Sequence, residues 1–110
     1  KLGLQDELIL GNIDSQRDWG FAGDYVDAMW RILQQPDADD YILATGTLHS
    51  VRDFLETAFS VVGLNSEKYI RSSPQLYRPL EATSLVGDPT KANKTLNWQA
   101  LTTFNDLVLQ

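Results

Sequence analysis

Short apolar runs alternate with segments of helical periodicity along this chain. A glycine or a proline follows shortly after each of the first four of these runs and segments. Such alternation predicts helices packed on a few short strands, because each element needs a neighbour to cover its apolar face. The sequence therefore predicts a small α/β, or α+β-like, unit that occupies residues 1–110 as one domain. The four segments are 8–10, 22–34, 40–45 and 51–62, followed by Gly11, Pro36, Gly46 and Gly63.

Spacing and capping signals assign these segments to helices or strands. The run 40–45 is apolar over most of its length, which predicts a strand buried on both faces. Capping-box spacing predicts helix starts after Ser50 and Thr103, and Asp88 followed by Pro89 predicts a third. The stretch 69–84 has no clear period and is expected to be irregular. The helix 22–34 is predicted to turn one apolar face to the core, made of Ala22, Tyr25, Val26, Met29, Ile32 and Leu33.

Composition excludes several classes of function. The net charge of −6 argues against a nucleic-acid partner, because phosphate backbones bind basic surfaces. The chain has no cysteine and one histidine, so it can form no disulfide and no His/Cys metal site of its own. No apolar run approaches the ~20 residues of a membrane helix, and a cytoplasmic location is expected. The chain starts without Met or a signal-peptide pattern, and we expect it to be a piece of a longer protein.

Two polar segments contain residues that could bind a phosphorylated ligand. Arg17 lies in a polar loop between an apolar run and a helix, and its planar guanidinium suits a phosphate. Arg78 and Glu81 flank Pro79 in a second segment, where Arg78 could meet a phosphate and Glu81 could accept bonds from sugar hydroxyls. The residues alone favour the simpler interpretation, in which Arg17 pairs with Asp18 and Arg78 with Glu81 in surface loops. Neither a catalytic constellation nor a G-x-G-x-x-G motif is present.

The region 49–52 carries two weaker signals. His49 stands just before a predicted helix, where a structural role is the common one. Arg52 falls in the first turn of that helix, at the end that disfavours a cation, which suggests a specific partner for it.

Six segments, in the same order, resemble motifs of the GDP-mannose 4,6-dehydratase family. Together they cover nearly the whole chain. The motifs are LGN-x-D-x-x-RDWG at 10–20, DYV-x-AMW-x-x-LQQ at 24–35, ATG-x-x-HSVR at 44–52, YRP-x-E at 77–81, LLGDP-x-KA at 85–92 and LGW at 96–98. The sequence departs from them at Asn97, where the family often has Gly, and at Leu80, where Ala or Thr is common.

The resemblance implies the carboxy-terminal, nucleotide-sugar-binding region of an extended short-chain dehydrogenase/reductase. In this family an amino-terminal Rossmann half binds NADP and carries the catalytic Thr, Glu, Tyr and Lys, so this region alone is expected to be inactive and to bind no cofactor. The whole enzyme oxidises mannose C4 of GDP-mannose, eliminates water across C5 and C6, and returns the hydride to C6. By resemblance, Arg17 and Arg78 approach the GDP diphosphate or ribose, and Glu81 the ribose or guanine. The family also implies a homo-oligomer.

Two other hypotheses stay open at this point. The chain could be the substrate domain of a related nucleotide-sugar epimerase or reductase, which has looser versions of the pattern around Arg17. It could also be a non-catalytic binding or assembly module, which would require that the 110 residues fold stably alone.

Overall fold

The computed structural model describes residues 2–78 and 84–110. They form four three-residue strands and four α-helices, with short 3-10 helices at Ser66–Lys68 and Pro74–Leu76. The strands are β1 (Leu8–Leu10), β2 (Gln16–Asp18), β3 (Leu48–Ser50) and β4 (Ile70–Ser72). The helices are α1 (Ala22–Leu33), α2 (Val51–Val61), α3 (Thr90–Leu96) and α4 (Phe104–Leu109). The expected class, a small α/β unit, agrees with this element order.

The strands form two separate sheets. β1 pairs with β4 in parallel, with Leu8 opposite Ile70, and β2 pairs with β3 antiparallel, with Arg17 opposite His49. β2, β3 and β4 were not predicted as strands: β2 lies in the segment expected to be a polar loop, and β4 lies in the stretch expected to be irregular. A strand of three residues is too short to show a period, so its pairing depends on distant residues that local sequence does not specify.

The predicted helix starts are confirmed by their caps. Asp53 N donates to Ser50 Oγ at 3.0 Å, and Ser50 N donates to Asp53 Oδ2 at 2.7 Å, which completes a capping box before α2. Asp106 N donates to Thr103 Oγ1 before α4. The start of α3 is one residue later than predicted, although Asp88 Oδ1 still accepts from Thr90 N at 2.9 Å.

The strand predicted at 40–45 is wrong. No strand is assigned there, although Tyr41 and Leu43 pack against the core. No backbone hydrogen bond joins residues 41–44 to the described part of the chain. The apolar pattern is that of a buried strand, but among residues 2–78 and 84–110 no neighbouring strand pairs with this segment.

The core lies between α1 and α3, where Ala28, Ala92, Leu96 and Trp98 are buried. Of the face predicted for α1, only Tyr25 and Ile32 pack against it. Four large apolar side chains of α1 are exposed instead, and we call them the outer face of α1. They are Val26 (62% exposed), Met29 (56%), Trp30 (61%) and Leu33 (80%). The prediction for Val26, Met29 and Leu33 was therefore wrong within this chain.

The molecule is elongated and has a large surface. Its extents are 54 × 32 × 19 Å and its radius of gyration is 17.3 Å, against about 13 Å for a compact domain of this length. Its accessible surface of 8014 Å² exceeds the roughly 6,100 Å² of a folded monomer of this mass by about 1,900 Å². No described helix is long and apolar enough to cross a membrane.

Candidate functional site

Two parallel strands bring their carboxyl ends to one edge of the fold. Leu10, the last residue of β1, lies opposite Ser72, the last residue of β4. Beyond the ladder, Ser73 N donates to Leu10 O at 2.8 Å, and Ser72 Oγ donates to Gly11 O at 2.8 Å. These bonds hold the segments that follow β1 and β4 side by side. The carboxyl ends of parallel strands are the common position for ligands in α/β folds.

A close approach at Gly11 forms one wall of this edge. A Cβ at Gly11 would lie 2.5 Å from the carbonyl oxygen of Leu76, so the 3-10 helix Pro74–Leu76 can rest here only on a glycine. Tyr77 follows, and its hydroxyl lies 3.2 Å from Ser72 Oγ. These contacts determine where the chain leads into Arg78.

The loop between β1 and β2 is tied to the start of α2. Asp14 N donates to Asn12 Oδ1 at 3.0 Å. Arg52 Nε and Nη2 donate to Asp14 Oδ1 at 2.9 and 2.7 Å. The specific partner that the position of Arg52 suggested is therefore a carboxylate of the same chain, which offsets the unfavourable end of the helix dipole.

The first three N–H groups of α2 all donate within the chain. They are Val51 N to Ser15 O (3.0 Å), Arg52 N to Ile13 O (2.7 Å) and Asp53 N to Ser50 Oγ (3.0 Å). A helix N-terminus with free N–H groups is a common phosphate site. Because these N–H groups already have acceptors, an anion at this edge would depend on side-chain cations instead.

Asp18 joins β2 to two distant segments. Its Oδ1 accepts from Thr45 N at 2.9 Å and from Thr45 Oγ1 at 2.6 Å, its Oδ2 accepts from Gly46 N at 3.0 Å, and the nearby backbone N–H of Gly87 also favours the charged carboxylate. Partial burial acts to raise the pKa of Asp18, but these hydrogen bonds outweigh it and hold the pKa below its ordinary value. Asp18 is thus a charged anchor at neutral pH.

Arg17 and Arg78 line the same cavity, which has a volume of about 340 Å³. Arg17 lies at the centre of β2, opposite His49, and its Nη1 donates to Gln16 O at 2.6 Å. Trp19 forms another part of the wall, together with Gly11 and Asn12. The volume falls within the usual range of small-ligand pockets. Two guanidinium groups on one cavity form an arrangement suited to a diphosphate.

The remaining predicted residues have different outcomes. Glu81 lies outside the described residues. His49 does not line the cavity; its ring stacks on Phe104 with centroids 3.8 Å apart. Sequence analysis missed Asp18, which it interpreted as the partner of Arg17. It also missed Gly11, which it took only as a strand end. The only local signal was the position of Gly11 directly after a short apolar run, whereas the partners of Asp18 lie 27 and 28 positions away in the sequence.

The described ranges contain no group of three His, Asp or Glu side chains that could hold a metal ion.

The fold occurs as one part of larger solved enzymes. RMD from Pseudomonas aeruginosa, complexed with NADPH, matches 94% of this chain and 33% of its own at 20% identity, with a TM-score of 0.81. UDP-glucose 4-epimerase from Bifidobacterium longum, in complex with NAD+ and UDP, matches 97% of this chain and 34% of its own at 22% identity, with a TM-score of 0.79. This chain is therefore a small α/β unit whose fold recurs as one part of these larger proteins.

The chain belongs to the GDP-mannose 4,6 dehydratase family, whose model matches residues 1–110. It is 48% identical over 108 residues to GDP-mannose 4,6 dehydratase 1 of Arabidopsis thaliana, covering 98% of this chain and 30% of that protein. The GDP-mannose 4,6 dehydratase of Homo sapiens is 38% identical over an aligned length of 124 positions, gaps included. The alignment covers 97% of this chain and 33% of the human protein. The chain spans about a third of the length of these relatives.

Proposed function

We propose that this chain binds the nucleotide sugar in a GDP-mannose 4,6-dehydratase, which converts GDP-mannose to GDP-4-dehydro-6-deoxy-D-mannose. The observation that carries the proposal is that Arg17 and Arg78, from separate segments, line one cavity at the carboxyl ends of β1 and β4. Two guanidinium groups make a locally positive site in a protein of net charge −6. Glu81 is proposed to contact the ribose or guanine.

The choice of GDP-mannose is supported by the names of the relatives, which are 38–48% identical to this chain. The second candidate is a related epimerase or reductase that acts on another nucleotide sugar. The likeness in fold to UDP-glucose 4-epimerase favours it, but at 22% identity that likeness concerns the fold alone. GDP-mannose is therefore the substrate proposed first.

We assign the redox and elimination chemistry to an amino-terminal Rossmann half that pairs with this chain. NADP bound there supplies the hydride acceptor and donor. The chain has no G-x-G-x-x-G motif, so no step through NADP is assigned to its residues. Solved structures of the same fold that are complexed with NADPH or NAD support this division. A homo-oligomeric state and a cytoplasmic location remain predictions.

Two features of the surface support the proposal that a large partner covers part of this chain. The outer face of α1 exposes four large apolar side chains, and residues 41–44 have a strand-like pattern without a strand neighbour among the described residues. The excess surface of about 1,900 Å² is similar to the area that one partner buries in an obligate interface, which is roughly 1,000–2,500 Å². These features argue against the third hypothesis, a module that is stable by itself. Circular dichroism and a thermal melt of the 110 residues alone would test that point.

The test of the proposed function is calorimetry on this chain assembled with its amino-terminal half. We expect GDP-mannose to bind with an affinity well above that of UDP-glucose. Arg17→Ala is expected to weaken GDP-mannose binding by about 10–100-fold, since a charge-assisted hydrogen bond contributes ~1.5–3 kcal/mol. The matched control is Arg71→Ala, because Arg71 is an exposed arginine of β4 that does not line the cavity. An unchanged dissociation constant for Arg17→Ala would contradict the proposal, and preference for UDP-glucose would favour the second candidate.

A further inference from the structure

Four rings form a closed cluster beside the cavity, which we call the aromatic cluster. The Trp19 ring stacks on Phe54 with centroids 5.2 Å apart, and Phe54 meets Phe104 edge-on at 6.4 Å. Phe104 in turn stacks on His49 at 3.8 Å with the two rings 8° from parallel. The circuit closes where Trp19 Nε1 donates to His49 O at 2.9 Å. The cluster therefore joins β2, β3, α2 and α4.

The strand that carries Arg17 has little support of its own. β2 has three residues and a single described neighbour, β3, and an isolated two-stranded pair is marginally stable in water. Asp18 anchors it on one side through its bonds to Thr45 and Gly46. On the other side the anchor is Trp19, which lines the cavity and belongs to the aromatic cluster. The orientation of Arg17 therefore depends on both anchors.

We propose that Phe104, the first residue of α4, is a positioning residue for diphosphate binding by Arg17. Phe104 does not line the cavity. It acts by filling the gap between His49 and Phe54, so that Trp19 and the end of β2 keep one orientation. A cation must be held to within a fraction of an ångström to make two parallel bonds to a phosphate, and packing against rigid rings supplies that precision. The inference rests on the proposed function, because it concerns the same cavity.

The experiment compares two Phe→Leu substitutions in the assembled enzyme, with GDP as the probe in calorimetry. Phe104→Leu keeps an apolar side chain but removes the stacking surface, and we expect the dissociation constant for GDP to rise by about 3–10-fold. Phe59→Leu is the matched control, since Phe59 stacks on Tyr69 at 5.8 Å, outside the aromatic cluster. It is expected to leave GDP binding within about twofold. Phe104→Tyr, which keeps the stacked ring, is expected to bind GDP like the unmodified protein.

A double-mutant cycle separates positioning from general destabilisation. If Phe104 acts through Arg17, Phe104→Leu should have little further effect on GDP binding once Arg17→Ala is present. Equal effects in both backgrounds, or equal effects of Phe104→Leu and Phe59→Leu, would overturn the inference. If Arg17→Ala by itself left GDP binding unchanged, the proposed function would fail instead. Should Phe104→Leu not fold, His49→Gln provides the same test, because it removes the stacked ring and keeps the carbonyl that accepts from Trp19.

Discussion

The region around the cavity and the outer face of α1 differ in whether their side chains have partners among the described residues. Around the cavity, the loop carbonyls accept from the start of α2, the carboxylate of Asp18 accepts from Thr45 and Gly46, and four rings pack one against the next. The outer face of α1 has the composition of a protein interior, yet Leu33 is 80% exposed. Within residues 2–78 and 84–110, the groups around the cavity have partners, whereas the large apolar side chains on the outer face of α1 are exposed.

This difference indicates that ligand binding and assembly with a partner depend on different parts of the chain. A cavity whose walls are fixed by internal bonds can be preorganised before any partner is present, whereas an exposed apolar face lowers free energy only when something covers it. We therefore expect substitutions on the outer face of α1 to affect association with the amino-terminal half that we proposed above. Substitutions around Asp18 or Gly11 should affect the stability or ligand affinity of this chain.

The largest effect is expected for Leu33→Glu, measured as the affinity between this chain and the amino-terminal half. Burying a leucine side chain contributes about 1.5–3 kcal/mol, and an unpaired carboxylate in an apolar interface costs more than that. We expect the affinity to fall by a factor of about 1,000, or roughly 4 kcal/mol. Leu4→Glu is the control, because Leu4 is equally exposed and precedes β1. If Leu33→Glu and Leu4→Glu assembled equally well, the outer face of α1 would not be the interface.

The next effect is expected for Asp18→Asn, measured as the free energy of unfolding. An amide replaces one acceptor oxygen by a donor that faces the N–H groups of Thr45 or Gly46, and the expected loss is about 2–4 kcal/mol. The pH dependence follows from the depressed pKa of Asp18. The ionised carboxylate of Asp18 stabilises the folded state fully above the unfolded pKa of about 3.9. This stabilisation is lost as the pH falls through the lower pKa of the folded state.

The control for this prediction is Asp39→Asn, whose carboxylate pairs with Lys91 on the surface. We expect Asp18→Asn to remove part of the acid-induced loss of stability in urea titrations at pH 2–5, and Asp39→Asn to remove much less. Identical acid profiles for the two variants would show that Asp18 is not a structural anchor.

The sequence predicted the helices well and the strands poorly, and the cause is physical. Helix starts depend on local groups, so Ser50 with Asp53 and Thr103 with Asp106 could be recognised three residues apart. Strands depend on pairing, and β1 meets β4 some sixty residues away. The segment 40–45 is the opposite case, in which a strand was predicted and none formed. Its apolar pattern is that of a strand, but its partner strand is not in the described part of the chain.

The candidate site was predictable in part. Arg17 and Arg78 were candidates from the residue types of their polar segments, the resemblance favoured them as ligand-binding residues, and both line one cavity. The anchoring bonds of Asp18 were not predictable, because they join residues 27 or more positions apart. The role of Gly11 needs a backbone contact with Leu76 that no local pattern encodes.

A smaller effect is expected for Gly11→Ala, measured as GDP affinity of the assembled enzyme. The new methyl group would displace the carbonyl of Leu76 and with it the segment that leads to Arg78. We expect about a tenfold loss of GDP affinity and a loss of stability of about 1–2 kcal/mol, as for other overpacked sites. Gly23→Ala is the control, since its methyl group would meet only the rotatable ring of Phe21. A normal GDP affinity for Gly11→Ala would exclude this wall from the ligand site.

The smallest effect concerns the core, where α3 ends beside α1. Asn97 ends α3 in the left-handed conformation, with φ of 48°, and Arg31 of α1 donates to the carbonyls of Leu96 and Asn97. The family often has glycine here, and asparagine is the residue that best tolerates this conformation after glycine. We therefore expect Asn97→Gly to change stability by no more than about 0.5 kcal/mol and Asn97→Ala to cost about 1 kcal/mol. Thermal melts of the two variants should differ by several degrees, since 1 kcal/mol shifts Tm by roughly 4–8 °C in a domain of this size. Equal melting temperatures would mean that the bonds from Arg31, rather than the backbone conformation of residue 97, determine how α3 ends against α1.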